Sequence, residues 1–305
     1  MNWNVAHRIA GIAANQAHRD LKVDRSGYVR VHAALQAAGL IGMAQPMPRL
    51  FGVYRDESAD GPAVLLNAGL DVITQRHTAA HELGHHRLHH RSSYDAELDP
   101  SRRWGDGSWP PEEKTAEAFA AWFLMPRPAV LGALQRIAGG RPRTPEHAYL
   151  LARALGTSYA GTVRHLVRLS LLPPGQADRW LTIAPAALKR SLAGGADVPA
   201  GVHVHAVTAG LHGQCIHADV GDLLVLQLPG ARFGSLPPGL EPWSGPAADG
   251  LWADTETAPL PTVEVTDALD SSCSLAVDVP GSGEPLLLTI VRESPRYGVI
   301  DIWPM

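Results

Sequence analysis

Residues 76–85 have the sequence Arg-His-Thr-Ala-Ala-His-Glu-Leu-Gly-His, and the last five of them form an HExxH motif. Side chains four residues apart lie on one face of a helix, so the imidazoles of His81 and His85 can bind a single zinc ion. The glutamate between them, Glu82, can reach a water molecule on that metal. This stretch therefore predicts a helix that carries a metal site suited to hydrolysis.

The motif supplies one ligand too few, because catalytic zinc takes three protein ligands and keeps a fourth position for water. A further helix is predicted between Pro110 and Pro126, since proline is tolerated in the first turn and the residue before a proline avoids helical geometry. This helix carries Glu113 and Glu117, one turn apart on the same face. A carboxylate from either of them would complete the ligand set.

Two stretches of the chain resemble motifs of the ImmA/IrrE-type zinc metallopeptidases. Residues 76–85 are similar to that family's R-F-T-x-A-H-E-L-G-H, and residues 113–126 are similar to its E-x-x-A-N-x-F-A-x-x-L-L-M-P. The two motifs occur in the expected order, and Asn67 matches a hydrophobic-Asn element of the family upstream of them. The resemblance covers residues 1–130 well and the helical region at 144–172 loosely, and it does not specify the C-terminal part.

The resemblance implies that Glu113 is the third zinc ligand beside the two motif histidines, with Glu82 as general base. Two positions depart from the family pattern. His77 stands where the family usually has Phe, and Glu117 stands where it usually has Asn. Glu117 is therefore expected to be either a group that contacts the ligands or a competing ligand.

The other histidines near the motif have less specific expectations. A donor for the tetrahedral oxyanion is expected close in sequence, and the candidates are His86, His89, His90 and Tyr94. His77 and His89 extend the four-residue spacing of the motif and are predicted to be structural or to contact the ligands. His86 and His90 lie a step around the helix and are predicted to be solvated.

The composition is that of a folded globular protein with 305 residues, of which 45% are hydrophobic. A formal charge of −4 gives no global signature for nucleic acid or membrane binding. Two cysteines provide no disulfide framework, and residues 1–20 lack the apolar core of a signal peptide. No apolar run approaches the roughly 18 residues of a membrane helix. These features predict a cytoplasmic protein.

The predicted elements indicate an α+β protein with several parts. Helices are predicted at 2–19 and 26–38, a hairpin at 50–54 and 62–67, and later strands at 202–207, 223–228, 263–265, 275–279, 286–291 and 299–302. The predicted order is a mainly helical, zincin-like peptidase domain at 1–135, a helix-turn-helix-like unit at 140–175, a connector at 176–200 and a strand-rich domain at 201–305. By position, the last part resembles the GAF-like sensor domain of IrrE-type relatives.

Two of these parts have competing interpretations. In the helix-turn-helix-like unit, Arg164 and Arg168 would contact DNA from a recognition helix, whereas the apolar residues around them favour a scaffold or protein-docking unit. In the strand-rich domain, several side chains offer metal-binding atoms at a spacing that matches no strong metal motif: His203, His205, His212, Cys215 and His217. We predict a solvated strand face there.

The sequence thus predicts a zinc-dependent endopeptidase of narrow specificity, with Zn²⁺ as its only cofactor. The resemblance implies a helix-turn-helix transcriptional repressor as substrate, whose cleavage triggers a stress or mobile-element response. An extended substrate segment is expected to pair with the edge of the hairpin at 50–67. The alternative is a DNA-binding or ligand-sensing regulator with a structural or vestigial metal site, and hydrolysis of a small amide at the same site is a third candidate.

Overall fold

The structure, a computed structural model, describes residues 1–56, 61–91, 93–94, 109–243 and 260–299. The chain forms two compact units. Unit 1 comprises the described residues within Met1–Gly132, Leu155–Gly161 and Pro295–Met305, and unit 2 those within Ala133–Ala154 and Thr162–Ser294. Among the helices of the described ranges, none combines the length and the apolar character that crossing a bilayer requires.

The described residues form nine α-helices and three β-sheets, which confirms the predicted mixed α+β class. The helices are α1 (Trp3–Asp20), α2 (Val31–Ala37), α3 (Val72–Arg87), α4 (Pro111–Leu124), α5 (Arg127–Ala138), α6 (Pro145–Leu155), α7 (Tyr159–Arg168), α8 (Pro174–Leu181) and α9 (Pro185–Leu192). The strands are β1 (Ile41–Gln45), β2 (Gly52–Arg55), β3 (Ala63–Asn67), β4 (Ser93–Tyr94), β5 (Val204–Val207), β6 (Cys215–Ala218), β7 (Leu223–Leu226), β8 (Arg232–Phe233), β9 (Leu240–Pro242), β10 (Thr262–Val265), β11 (Ser272–Asp278), β12 (Leu286–Arg292) and β13 (Gly298–Val299).

Unit 1 contains a five-stranded sheet with the order β13-β1-β3-β2-β4. The predicted hairpin is present as β2 and β3, which pair antiparallel with Gly52 opposite Leu66 and Arg55 opposite Ala63. The strand β1, which was not predicted, pairs in parallel with β3, and β4 pairs with β2. Both strands of the hairpin therefore have neighbours on both sides, and the expectation that the hairpin offers an open edge is wrong.

Alanines determine how α1 packs on α4. Ala6, Ala10, Ala14 and Ala17 share one face of α1 and are at most 1% exposed. Small side chains let two helices approach closely, because the interaxial distance depends on the side chains at the contact. His18 adds a specific link, since its Nε2–H donates to the backbone carbonyl of a residue of α4, Phe123, at 2.9 Å. These contacts hold α4, the helix that carries Glu113 and Glu117.

The helix α3 carries the HExxH motif and is buried along most of its length. Asp71 caps its N-terminus by accepting bonds from the backbone N–H groups of Ile73 and Thr74, each at 3.0 Å. The helix ends at Arg87, because His89 adopts a left-handed backbone conformation with φ of 54° and turns the chain. Its buried faces pack against β2, β3 and α4.

Unit 2 contains two four-stranded sheets that share one hydrophobic core. Their orders are β5-β7-β10-β9 and β6-β12-β11-β8, and in each sheet the first pair is parallel and the others are antiparallel. Alternate residues of a strand point to one face, so Leu286, Leu288 and Ile290 of β12 all enter the core. Their partners in the core include Val207, Ile216, Leu224, Leu226, Val263, Val265, Leu275 and Val277.

Several elements differ from the prediction for local reasons. The second helix begins at Val31 instead of residue 26, because the Asp24 carboxylate accepts bonds from the backbone N–H and the hydroxyl of Ser26 and forms a turn. Another helix, α8, extends into the predicted connector, with a proline in its first turn. The predicted strand 299–302 lies largely outside the described residues. The division into four domains stays a prediction.

Candidate metal centre

Three side chains from two helices converge in unit 1. On α3, the Nε2 atoms of His81 and His85 lie 3.0 Å apart. From α4, Glu113 places Oε2 3.1 Å from Nε2 of His81 and Oε1 3.5 Å from Nε2 of His85. In the part of the chain that the structure describes, this is the one group of three or more such side chains whose ligand atoms could hold a metal ion. These are the three residues that the resemblance implies as ligands.

The hydrogen bonds around His81 direct its Nε2 lone pair toward this group. Its Nδ1 lies 3.1 Å from Oε2 of Glu117, a carboxylate that is 4% exposed. An ionised carboxylate can only accept, so the Nδ1–H of His81 is the donor and the proton of the neutral ring is located there. The other ring nitrogen then carries a lone pair, as a metal ligand requires.

A chain of hydrogen bonds gives the same result for His85. The hydroxyl of Thr115 donates to the carbonyl of Glu112 at 2.9 Å, so its oxygen can accept from Nε2–H of His90 at 3.4 Å. The Nδ1 of His90 is then an acceptor for Nδ1–H of His85, at 3.0 Å. Burial lowers the pKa of His90 to about 4, which agrees with a neutral ring. His85 therefore also presents a lone pair at Nε2.

The donor set and its spacing fit zinc. Four ligand atoms at the usual zinc distances of about 2.0–2.1 Å in a tetrahedron lie about 3.3 Å from one another. The two Nε2 atoms here are 3.0 Å apart, and the nearest Glu113 oxygen is 3.1 Å from that of His81 (Oε2) and 3.5 Å from that of His85 (Oε1). Two imidazole nitrogens and a carboxylate oxygen also form one of the ligand sets found in catalytic zinc sites. Three electron-pair donors that face each other at these distances suit a cation between them.

Glu113 is the most exposed of the three residues. The side chain keeps 16% of its surface exposed, compared with 4% for His81 and 1% for His85. The side of the group formed by Glu113 is therefore the one nearest to solvent.

The motif glutamate, Glu82, is completely buried and lies against β2. A Cβ atom placed on Gly52 would be 2.7 Å from Oε1 of Glu82 and 2.6 Å from Cγ2 of Thr78. Only a glycine leaves room for the glutamate at this point of the strand. The sequence motif indicated Glu82, but nothing in the sequence indicated Gly52.

The surroundings of the four candidates for an oxyanion donor differ from those that the sequence predicts. The Nδ1 of His86 is 3.1 Å from the hydroxyl of Tyr54, and His90 contacts a ligand histidine, so the prediction that both rings are solvated is wrong. His90 reaches that position because the left-handed turn at His89 folds the chain back onto the helix. His89 itself is exposed. The side chain of Tyr94 lies outside the described residues.

Two further motif residues have structural contacts instead of contacts with the metal group. Asn67 donates to the carbonyls of Met47 and Leu50, at 2.7 and 2.8 Å, and so shapes the loop that leads into β2. Arg76 is buried, with its guanidinium 3.7 Å above the ring of Tyr28. Both residues help to hold the elements that carry the site.

The histidines of unit 2 do not assemble a second metal group among the described residues. His205 is 7% exposed, and its Nε2 lies 3.3 Å from Oδ2 of Asp222. His217 places Nδ1 2.9 Å from Oε1 of Glu293. The predicted solvated face is therefore wrong for His205, because the carboxylate of Asp222 makes its burial favourable.

Comparison with known proteins supports the interpretation of unit 1. Curated proteins gave no match. Among solved structures, the crystal structure of the cysteine protease inhibitor EhICP2 from Entamoeba histolytica is 14% identical, over 31% of this chain and 99% of that chain, but its TM-score of 0.19 is too low to support an argument. Residues 47–160 match the family Peptidase_M78, described as the IrrE N-terminal-like domain. The resemblance to the ImmA/IrrE-type peptidases is thereby confirmed for residues 47–160, which are similar to an IrrE N-terminal-like domain.

Proposed function

We propose that the protein is a zinc-dependent endopeptidase of narrow specificity. The observation that carries this proposal is the convergence of His81, His85 and Glu113 at zinc-like separations, on helices that also bury Glu82. The match of residues 47–160 to a peptidase family supports peptide-bond hydrolysis as the reaction.

Each residue of the site has its own role. The two histidines and Glu113 hold the metal, and zinc, when bound, supplies a Lewis acid that polarises the scissile carbonyl and acidifies water. Glu82 accepts the proton of the attacking water and delivers it to the leaving amine nitrogen. Gly52 leaves room for the Glu82 carboxylate beside β2.

We infer that the substrate is a helix-turn-helix transcriptional repressor, whose cleavage triggers a stress or mobile-element response. The support is the likeness of both motifs to the ImmA/IrrE-type peptidases and the match to the IrrE N-terminal-like domain. A peptidase of this kind is expected to cut few proteins, in contrast to a digestive enzyme.

The test compares cells that make the wild-type protein with cells that make Glu82→Gln. Proteomics should find a polypeptide that is cut only by the wild type, while both purified proteins contain equal zinc. Glu112→Gln is a matched control, because Glu112 is an exposed carboxylate on α4, and it should cut like the wild type. Equal cleavage by Glu82→Gln would show that the mechanism is wrong. Turnover of small amides without any protein target would favour the third candidate function.

A DNA-binding regulator is the second candidate, and the exposure of Arg164 and Arg168 on α7 favours it. They are four residues apart and therefore share one face of the helix. This function predicts salt-sensitive DNA binding that is lost when both arginines are replaced by alanine, with no effect of Glu82→Gln. We expect the opposite result: the double variant should cleave the target normally, and its affinity for DNA should equal that of the wild type.

A further inference from the structure

Glu117 lies one helical turn beyond Glu113 on α4, but it contacts different atoms. Its Oε1 is 2.7 Å from Nε2 of His77, and its Oε2 is 3.1 Å from Nδ1 of His81. Glu113, in contrast, approaches Nε2 of His81. The two glutamates therefore bind opposite nitrogens of one imidazole, and both oxygens of Glu117 are used by histidine donors.

A buried carboxylate needs such donors. Moving an ionised carboxylate out of water is costly unless the charge is paired and hydrogen-bonded. His77 makes the shorter of the two bonds. It keeps 36% of its side chain exposed and so stays in contact with solvent.

The two residues of this bond are also the two positions at which the chain departs from the family pattern, Phe at 77 and Asn at 117. An amide at 117 is neutral, so a phenylalanine at 77 would leave no buried charge without its partner. A carboxylate at 117 with a phenylalanine at 77 would keep one donor for a buried negative charge. The residue that is tolerated at position 77 is therefore expected to depend on the residue at position 117.

We propose that His77 and Glu117 form a coupled pair that positions His81 for the metal, and that Glu117 is a positioning residue and not a ligand. This rests on the proposed function only in that His81 is taken as a zinc ligand. The Glu117 carboxylate fixes the tautomer and the ring orientation of His81, and His77 keeps that carboxylate satisfied. Groups that hydrogen-bond a ligand histidine in this way typically contribute 10–100-fold to metal affinity.

The experiment measures zinc affinity by competition with a chelator and the visible absorption of the Co²⁺-loaded protein. The variants are Glu117→Gln, Glu113→Gln, His77→Phe, Glu117→Asn and the double variant His77→Phe with Glu117→Asn. Glu112→Gln is the control, since Glu112 is exposed on the same helix, and its zinc affinity should stay within about twofold of the wild type. Thermal unfolding of each metal-free variant verifies that it folds.

The expected results follow from the contacts. Glu117→Gln should weaken zinc binding by about 10–100-fold and shift the Co²⁺ absorption bands while keeping three protein ligands. His77→Phe should weaken zinc binding by about tenfold. The double variant should bind zinc more tightly than multiplying the effects of the two single substitutions predicts, because the effects of substitutions at contacting residues are not additive. A merely structural role would lower the unfolding temperature and leave the Co²⁺ spectrum unchanged.

Three results would contradict the proposal, and each has a different consequence. If wild-type protein binds zinc and Glu117→Gln binds it equally well, the positioning role is wrong while the proposed function stands. If Glu117→Gln loses the metal and Glu113→Gln retains it, Glu117 is the ligand and the inference is wrong. If the wild type binds no zinc, the proposed function fails together with this inference.

Discussion

Gly84 lies directly against the backbone of Ala116. A Cβ atom on Gly84 would be 3.1 Å from Cα of Ala116 and 3.1 Å from Cβ of Phe119. The absence of a side chain at Gly84 therefore sets how closely α3 and α4 approach each other. Glu113 lies one turn before Ala116 on α4, so the same approach brings its carboxylate up to the histidines of α3.

Gly84→Ala should disturb both the fold and the metal group. The added methyl group has to push α4 away, because its neighbours are backbone and a ring. We expect the free energy of unfolding to fall by about 1–3 kcal/mol, as for other overpacked cores, and zinc affinity to fall with it. Urea unfolding and chelator competition measure the two effects. Gly27→Ala is the control, since nothing lies within 4 Å of its Cβ position; equal behaviour of the two variants would contradict the argument.

Gly52→Ala should separate catalysis from metal binding. The new methyl group would collide with Glu82 and Thr78, whose atoms are its three nearest neighbours, and none of these three atoms belongs to a proposed ligand. Misplacing a catalytic group by about 1 Å costs on the order of a hundredfold in rate, so cleavage of the protein target should fall by about that factor. Zinc affinity should stay near the wild-type value. The matched control is Gly283→Ala, with no neighbour within 4 Å, and a variant of Gly52 that cuts normally would show that the glycine is dispensable.

The sequence predicted the parts of the site that depend on local spacing. The pair His81 and His85 follows from the helical repeat, and the start of α4 at Pro111 follows from the tolerance of proline in the first helical turn. Glu113 needed the resemblance, because the residues alone allowed Glu117 as well. The structure separates the two glutamates by the imidazole nitrogen that each one contacts.

The parts that sequence reasoning missed depend on long-range contacts or on a single backbone angle. His90 reaches His85 because of the positive φ of His89, which a histidine rarely adopts and no pattern predicts. The bond between His77 and Glu117 joins two helices across 40 positions of sequence. The strand β1 is short, and its pairing with β3 is decided by unit 1 as a whole.

His203 in unit 2 should make stability depend on pH. Burial, and after it the positive charge of Arg153, lower its pKa to about 3, whereas the unfolded value is 6.5. Between these values the folded protein binds fewer protons than the unfolded chain, so stability is present above pH 6.5 and is lost as the pH falls. From pH 6.5 to 5 this histidine should remove up to about 2 kcal/mol.

The measurement is urea unfolding of wild type and His203→Gln at pH 7 and pH 5. Glutamine does not titrate, so the variant should lose less stability than the wild type between the two pH values. Groups remote from position 203 contribute equally in both proteins and cancel in the comparison. An equal loss in the two proteins would mean that His203 is protonated as easily in the folded state as in the unfolded chain.

Gln75 of α3 binds the backbone of Arg296, two residues before the strand β13. The side-chain Nε2–H of Gln75 donates to the carbonyl of Arg296 at 3.2 Å, and its Oε1 accepts the backbone N–H of Arg296 at 2.7 Å. The side chains of Tyr297 and Val299 are 66% and 59% exposed and contribute little to the attachment. The edge of β1 supplies a further contact, with Met43 opposite Val299.

Gln75→Ala should therefore loosen β13 without affecting the metal group. The loss of two hydrogen bonds to one backbone unit costs about 1–3 kcal/mol, so amide hydrogen exchange at residues 296–299 should accelerate about tenfold or more. Exchange within α3 and zinc affinity should stay unchanged, because the two bonds that are removed run to the backbone of Arg296 and not to a proposed ligand. Gln36→Ala, at an exposed glutamine of α2, should leave exchange at residues 296–299 as in the wild type. If Gln75→Ala also leaves it unchanged, the ladder with β1 alone holds the strand, and the amide of Gln75 has no part in its attachment.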